Sequence, residues 1–136
     1  MTPADLAATH LAAFTDTRPW SESEFTDLLS QRDMILLGDP KSFILGRVIG
    51  DEAEVLTLAT HPDFQRQGLG RSTLTEFLIQ IRGLGVASIF LEVADTNTAA
   101  KSLYQNEGFE HVGHRPRYYV TTNGTKIGAD VLRFTF

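Results

Sequence analysis

Along this 136-residue chain the spacing of apolar positions changes period several times, and each change predicts an element. Thr2-Pro3-Ala4-Asp5 reads as a cap followed by a first-turn proline, and Leu6, Leu11 and Phe14 give the apolar stripe of a helix that should end before Arg18. Ser21 with Glu24 forms a capping box ahead of Phe25, Leu28 and Leu29, which share one face of a second helix reaching about Gln31. Two β-rich runs, 34–37 and 42–49, flank the turn Gly38-Asp39-Pro40-Lys41, and a third at 54–60 completes an antiparallel meander.

After residue 60 the period returns to that of a helix. Leu69, Leu74, Phe77, Leu78, Ile81 and Leu84 recur at three and four until Gly83 and Gly85 stop the helix. Residues 86–93 are a nearly continuous apolar run, the pattern of a strand covered on both faces and lying parallel to the strand before the helix. Residues 97–107 read as helix by Ala100, Leu103 and Tyr104, closed by Gly108. Strands at 109–120 and 129–136, joined through Thr122-Asn123-Gly124, end the chain. The predicted order is helices, meander, β-α-β, helix, hairpin, an α/β fold of α+β type in a single domain spanning 1–136.

Composition narrows the class. A chain of this length forms one compact domain that buries roughly two-thirds of its unfolded surface. With 42% apolar and 21% charged residues it reads as an ordinary globule. It has no cysteine, which removes disulfides, thiolate-bound metal and a cysteine nucleophile and fits a reducing cytoplasm. No basic leader precedes Asp5 and no apolar run approaches a membrane span. The formal charge of −5 argues against binding nucleic acid through its phosphates. His10, His61, His111 and His114 are scattered, so no metal site is expected, and His61 beside Pro62 reads as structural.

The segment HPDFQRQGLGR, residues 61–71, carries the chemistry. A glycine-spaced turn from a buried strand into a helix presents backbone N–H groups backed by the helix dipole, a site for phosphate. Gly68 and Gly70 let the backbone approach closely, and Arg66 and Arg71 can add charge-assisted bonds. Nucleotide-triphosphate loops need Lys-Ser/Thr after the last glycine, where this chain has Arg71-Ser72. Dinucleotide loops need a third glycine, where it has Thr73.

What remains, Q-x-x-G-x-G in this element order, resembles the GNAT acyltransferase superfamily, whose R/Q-x-x-G-x-G/A turn grips the diphosphate of acetyl-coenzyme A. HPDFQRQGLGR, LEVADTNTAAKSLYQNEGF and RPWSESEF further resemble the bacterial branch that acetylates the N-terminal alanine of a small-subunit ribosomal protein. The resemblance implies the GNAT fold, a mixed and mostly antiparallel central sheet with a parallel β-α-β at its centre and helices on both faces. It implies acetyl-CoA as co-substrate, with no metal and no membrane, and a protein N-terminus as acceptor. The enzyme would act as a monomer or weak dimer.

Residue by residue, Gln65, Arg66, Gln67, Gly68, Leu69, Gly70 and Arg71 are the implied diphosphate turn. The main chain of Leu58 to Thr60, splayed from its parallel neighbour at a bulge, would hold the pantetheine arm and supply oxyanion donors, and Asn97 would be a further cofactor ligand. An α-amine of pKa about 8 needs a base near neutral pH. Glu92 shares a strand face with Phe90, where a lone charge is costly, and it falls on the family's base. Tyr104 falls on the acid expected to protonate the departing thiolate; its ordinary alternative is a core aromatic. Trp20, Tyr118 and Tyr119 would wall the acceptor pocket or simply pack at the periphery.

The chain departs from the family pattern in three places. It opens on a helix signal where the family has a strand, Val120 replaces a proline after the tyrosine pair, and Gly128-Ala129 replaces an acidic pair, with Asp130 one place later. Two alternatives stand beside the N-terminal acetyltransferase: a GNAT enzyme acting on a small amine or lysine side chain, and an acyl-CoA-binding module without catalysis.

Overall fold

The computed structural model describes residues 1–136. Helix α1 (Pro3–Ala13) and helix α2 (Glu22–Leu29) both begin at capping boxes, Thr2 with Asp5 and Ser21 with Glu24. Strands β1 (Met34–Asp39), β2 (Ser42–Ile49) and β3 (Glu52–Thr60) form the meander, and a 3₁₀ turn (Pro62–Phe64) leads to α3 (Leu69–Gly83). β4 (Ser88–Ala94), α4 (Thr98–Asn106), β5 (Glu110–Val120) and β6 (Lys126–Thr135) complete the chain. The strands form one sheet in the order β1-β2-β3-β4-β6-β5, antiparallel throughout except for the parallel pair β3–β4.

Several details differ from the sequence reading. α1 ends at Ala13, before Arg18 as expected, but its inner face differs: it buries Leu6, Thr9 and His10 while Leu11 is 64% exposed. The two polar residues can go inside because both are bonded. Thr9 Oγ1 donates to the Pro40 carbonyl at 2.6 Å, and both nitrogens of the His10 ring have partners. β6 begins three residues before the predicted 129, since Lys126 and Ile127 pair with Val120 and Tyr119 across the turn. Val86 is buried ahead of β4, which starts at Ser88.

Two cores form, one on each face of the sheet. α1 and α2 cover Phe43, Leu45 and Ala59 with Leu6 and Phe25. α3 and α4 cover Ile44, Val55, Ile89, Leu91 and Leu132 with Leu74, Phe77, Ile81 and Tyr104. Each of these apolar side chains, when fully buried, contributes roughly 1.5–3 kcal/mol. Gly46 sets the approach of α3: a Cβ there would lie 2.6 Å from the Phe77 ring.

β3 changes sides within its length. Leu45 pairs with Thr57 and Gly46 with Val55, so Leu56 is an extra residue, a bulge. Ala53 and Val55 point into the α3 core, whereas Ala59 points into the α1–α2 core. The bulge coincides with the end of the parallel ladder: β3 and β4 pair from Glu52↔Ser88 to Val55↔Leu91 and no further. β4 follows β6 onward to Ala94↔Ala129, so the two central strands diverge.

Candidate active site

The gap between the diverging strands is a cavity of about 1100 Å³. β3 contributes Val55 to Leu58 and β4 contributes Leu91 to Ala94. Tyr104 and Asn97 line it from the α4 side, and Trp20, Tyr118 and Tyr119 line it from the other. The α1–α2 connection arches over it toward the β5–β6 hairpin. Thr17 bridges Thr121, and the Thr122 N–H donates to the Asp16 carbonyl at 3.0 Å.

Glu92 is placed by alternation on β4, with its side chain 18% exposed. Arg115 answers the predicted charge problem: its Nε lies 3.1 Å from Glu92 Oε1. Tyr119 donates to the Glu92 main-chain carbonyl at 3.3 Å. The Tyr118 hydroxyl faces the Glu92 carboxylate, and that hydrogen bonding, with burial second, holds its pKa above the ordinary phenol value. Burial, then the charges of Glu92 and Tyr118, push Tyr119 up to about 12. Both phenols stay protonated at neutral pH.

The tyrosine pair owes its place to an irregularity in β5. Arg115 pairs with Ala129 and Tyr119 with Ile127, so β5 has two more residues than β6 between those points, and Arg117 takes φ 54. Pro116, without an N–H, sits where no ladder bond is needed.

Tyr104 is 5% exposed and packs edge-on against Phe109, ring centroids 5.4 Å apart. No group of the chain accepts its hydroxyl hydrogen, and burial pushes its pKa well above the phenol value. A phenol is already a weaker acid than a thiol of pKa about 8.5. Complete proton transfer to sulfur therefore runs against the pKa difference, and what Tyr104 can offer a departing thiolate is a hydrogen bond.

The turn at 65–71 lies outside the cavity lining. Arg66 and Gly68 have φ 62 and 78, and none of the backbone N–H groups from Arg66 to Arg71 has a partner in the chain. α3 starts at Leu69 with Gly68 as its cap and no side-chain cap bond. Unpaired amides at a helix N-terminus form an anion cradle. Gln65 folds back to donate from Nε2 to the Thr60 carbonyl at 3.2 Å. Thr60 Oγ1 meets Ser42 Oγ at 2.9 Å. Arg71 Nε pairs with Glu107 at 2.8 Å, so only Arg66 is left without an ion-pair partner here. Asn97 caps α4, its Oδ1 accepting from the Ala100 N–H at 3.1 Å, which leaves its side-chain NH₂ free.

Sequence reasoning missed other residues at or beside the cavity. His10 is 3% exposed, lines the cavity and stacks between Phe14 and Trp20, with centroids at 4.2 and 5.0 Å. Its Nδ1 is 3.0 Å from the Trp20 N–H and its Nε2 is 3.2 Å from Thr57 Oγ1. Asp130 receives His114 at 3.0 Å, His111 at 3.2 Å and Lys101 at 3.2 Å, tying α4 to the last hairpin. Burial alone would raise the Asp130 carboxyl; the bonds from His114, His111 and Lys101 outweigh it and bring it to about 2. His10 meets Thr57 across 47 residues, and Asp130 meets His114 and His111 across 16 and 19, so no local signal marked these contacts.

Comparison with known proteins places the chain. Residues 6–109 match the acetyltransferase (GNAT) family. A [ribosomal protein bS18]-alanine N-acetyltransferase of Escherichia coli is 37% identical over 122 residues, 87% of this chain and 82% of that protein. The N-alpha-acetyltransferase RimI of Mycobacterium tuberculosis is 47% identical over 75 residues, 55% of this chain and 46% of its own length. The crystal structure of the ribosomal-protein-S18-alanine N-acetyltransferase from Escherichia coli superposes with a TM-score of 0.87 at 31% identity, covering 98% of this chain and 86% of that one. Arabidopsis thaliana NAA60 in complex with acetyl-CoA shares the fold, with a TM-score of 0.84 at 16% identity over 100% of this chain and 96% of its own. On these matches the chain belongs to the acetyltransferase (GNAT) family and is an N-acetyltransferase.

Proposed function

We propose that residues 1–136 act as one catalytic domain that transfers acetyl from acetyl-CoA to the N-terminal amine of a protein, an alanine of a ribosomal protein by analogy with the E. coli relative. The observation that carries the reading is the divergence of β3 from β4 beyond Val55 and Leu91, which gathers the Leu58 edge, Glu92, Tyr104, Trp20 and Tyr118 around one cavity.

The unpaired amides of Arg66 to Arg71 hold the diphosphate, and Gln65 braces the turn from below. The pantetheine arm runs along the Leu58 to Thr60 edge past Asn97, and amides of that edge stabilise the oxyanion. Glu92 takes a proton from the acceptor amine, whose nitrogen attacks the thioester carbonyl. The C–N bond forms, the C–S bond breaks, and the thiolate leaves against the Tyr104 hydroxyl. Trp20, Tyr118 and Tyr119 wall the acceptor.

An acetylation assay with an alanine-started peptide, spermidine and a peptide with an internal lysine tests this. Preference for the first is expected. Activity only on the other two would replace the N-terminal reading by the small-amine or lysine one, and no activity alongside tight coenzyme A binding would leave a binding module.

A further inference from the structure

His10 and Thr57 are buried beside the reacting gap, and neither has a part in the chemistry above. Their hydrogen bonds have a fixed direction. The Trp20 main-chain N–H can only donate, so the Nδ1 that it meets at 3.0 Å must carry a lone pair. The ring proton of neutral His10 is then on Nε2 and donates to Thr57 Oγ1 at 3.2 Å. The Thr57 hydroxyl accepts that bond on one of its two lone pairs and keeps its own hydrogen to donate, and His10 is its one side-chain hydrogen-bond partner in the chain.

The position of that donor gives it a meaning. Thr57 follows the Leu56 bulge and faces α1, where it lines the cavity together with Trp20. Glu92 opens to the same side of the sheet, since Glu54 pairs with Phe90 and alternation returns Glu92 to that face. One wall thus carries an acceptor for an amine's proton, and the facing strand carries an O–H donor.

An α-amino group differs from an alkyl amine in having a carbonyl one carbon away. Resting on the N-terminal reading above, we propose that Thr57 is a specificity-determining residue whose hydroxyl, aimed by His10, donates to the carbonyl of the acceptor's first residue while that residue's amine meets Glu92. Lysine side chains and polyamines have no carbonyl at that place and leave the buried hydroxyl unpaired. An unmatched polar group of this kind discriminates more strongly than a change in apolar contact. His10 acts only through Thr57 and the Trp20 backbone and is a positioning residue.

Steady-state kinetics with an alanine-started peptide and with spermidine test the proposal. Thr57→Val should raise the peptide KM roughly five- to tenfold, the value of one hydrogen bond. The KM for acetyl-CoA should not move, the KM for spermidine should fall because no buried hydroxyl is then left unpaired, and Thr57→Ser, which keeps the hydroxyl, should restore the peptide KM. His10→Asn keeps an acceptor for the Trp20 N–H and loses the donor to Thr57. It should give a similar rise, and the double variant should be no worse than either single one. A peptide KM unchanged in Thr57→Val, a Thr57→Ser variant as impaired as Val, or additive effects in the double variant would each overturn the inference alone. Should His10→Asn fail to fold, the two Thr57 variants still decide. Unsubstituted enzyme that acetylates spermidine but no alanine-started peptide would overturn the N-terminal reading and the inference with it.

Discussion

Arg115 on β5 holds the Glu92 carboxylate of β4, Nε to Oε1 at 3.1 Å, across the intervening strand β6. The pair explains how a charged side chain tolerates a mostly covered position in the sheet. Glu92→Gln keeps the shape and removes the base. Turnover should fall about 10²–10⁴-fold, while coenzyme A affinity by calorimetry stays close to that of the unsubstituted protein. Undiminished turnover would remove Glu92 from the reaction.

Tyr104→Phe separates chemistry from packing. The hydroxyl has no partner within the chain, so the melting temperature should hold, and the ring still packs on Phe109. A hydrogen bond to the leaving sulfur would be lost, and kcat should drop on the order of 10²-fold in a thiol-release assay. An unchanged kcat would return Tyr104 to the role of a core aromatic.

The two glycines of the turn should respond with opposite signs. Gly68 has φ 78, so Gly68→Ala should cost about 1 kcal/mol in denaturant unfolding and distort the amide cradle. Gly70 lies inside α3, and a Cβ there would meet Thr60 Oγ1 at 3.4 Å and Leu103 Cδ2 at 3.5 Å, ordinary contact. Gly70→Ala should therefore keep stability or gain a few tenths of a kcal/mol from helix propensity. Coenzyme A titration of the two variants should show the larger loss at Gly68; equal affinity in both would count against the cradle.

Acid should weaken the fold in two stages. Burial, opposed by Glu24 and assisted by Arg18, lowers His10 from 6.5 to about 4. Between those values the unfolded chain binds a proton that the native one does not, so the stability present above pH 6.5 is lost as pH falls toward 4, by up to about 3 kcal/mol. Asp130, brought from 3.8 to about 2, adds stability that persists above 3.8 and disappears as pH falls through 2. Trp20, the only tryptophan, stacks on His10, and its emission during urea unfolding at pH 7, 5 and 4 reads the first stage directly. His10→Asn should flatten the dependence between 6.5 and 4; an unchanged slope would assign it to other groups.

Local chemistry made the element order legible. The cap at Thr2, the capping box at Ser21 and the period of Leu74, Phe77 and Ile81 are short-range signals that lie where they were read, and the nearly continuous apolar run at 86–93 overlaps β4. The face of α1 was misread because its apolar stripe is incomplete. Thr9 and His10 are buried by partners 31 and 47 residues away, and such partners leave no trace in periodicity.

The sequence by itself determined the elements, the amide-rich turn before α3 and the strand that carries Glu92, because backbone propensity and burial pattern act over a few residues. Only the tertiary structure decided that Leu56 bulges, that β3 and β4 part at Val55 and Leu91, and that Arg115, His10 and Asp130 find their partners. Those outcomes depend on which chains lie side by side in the folded sheet, and no neighbouring residue records that.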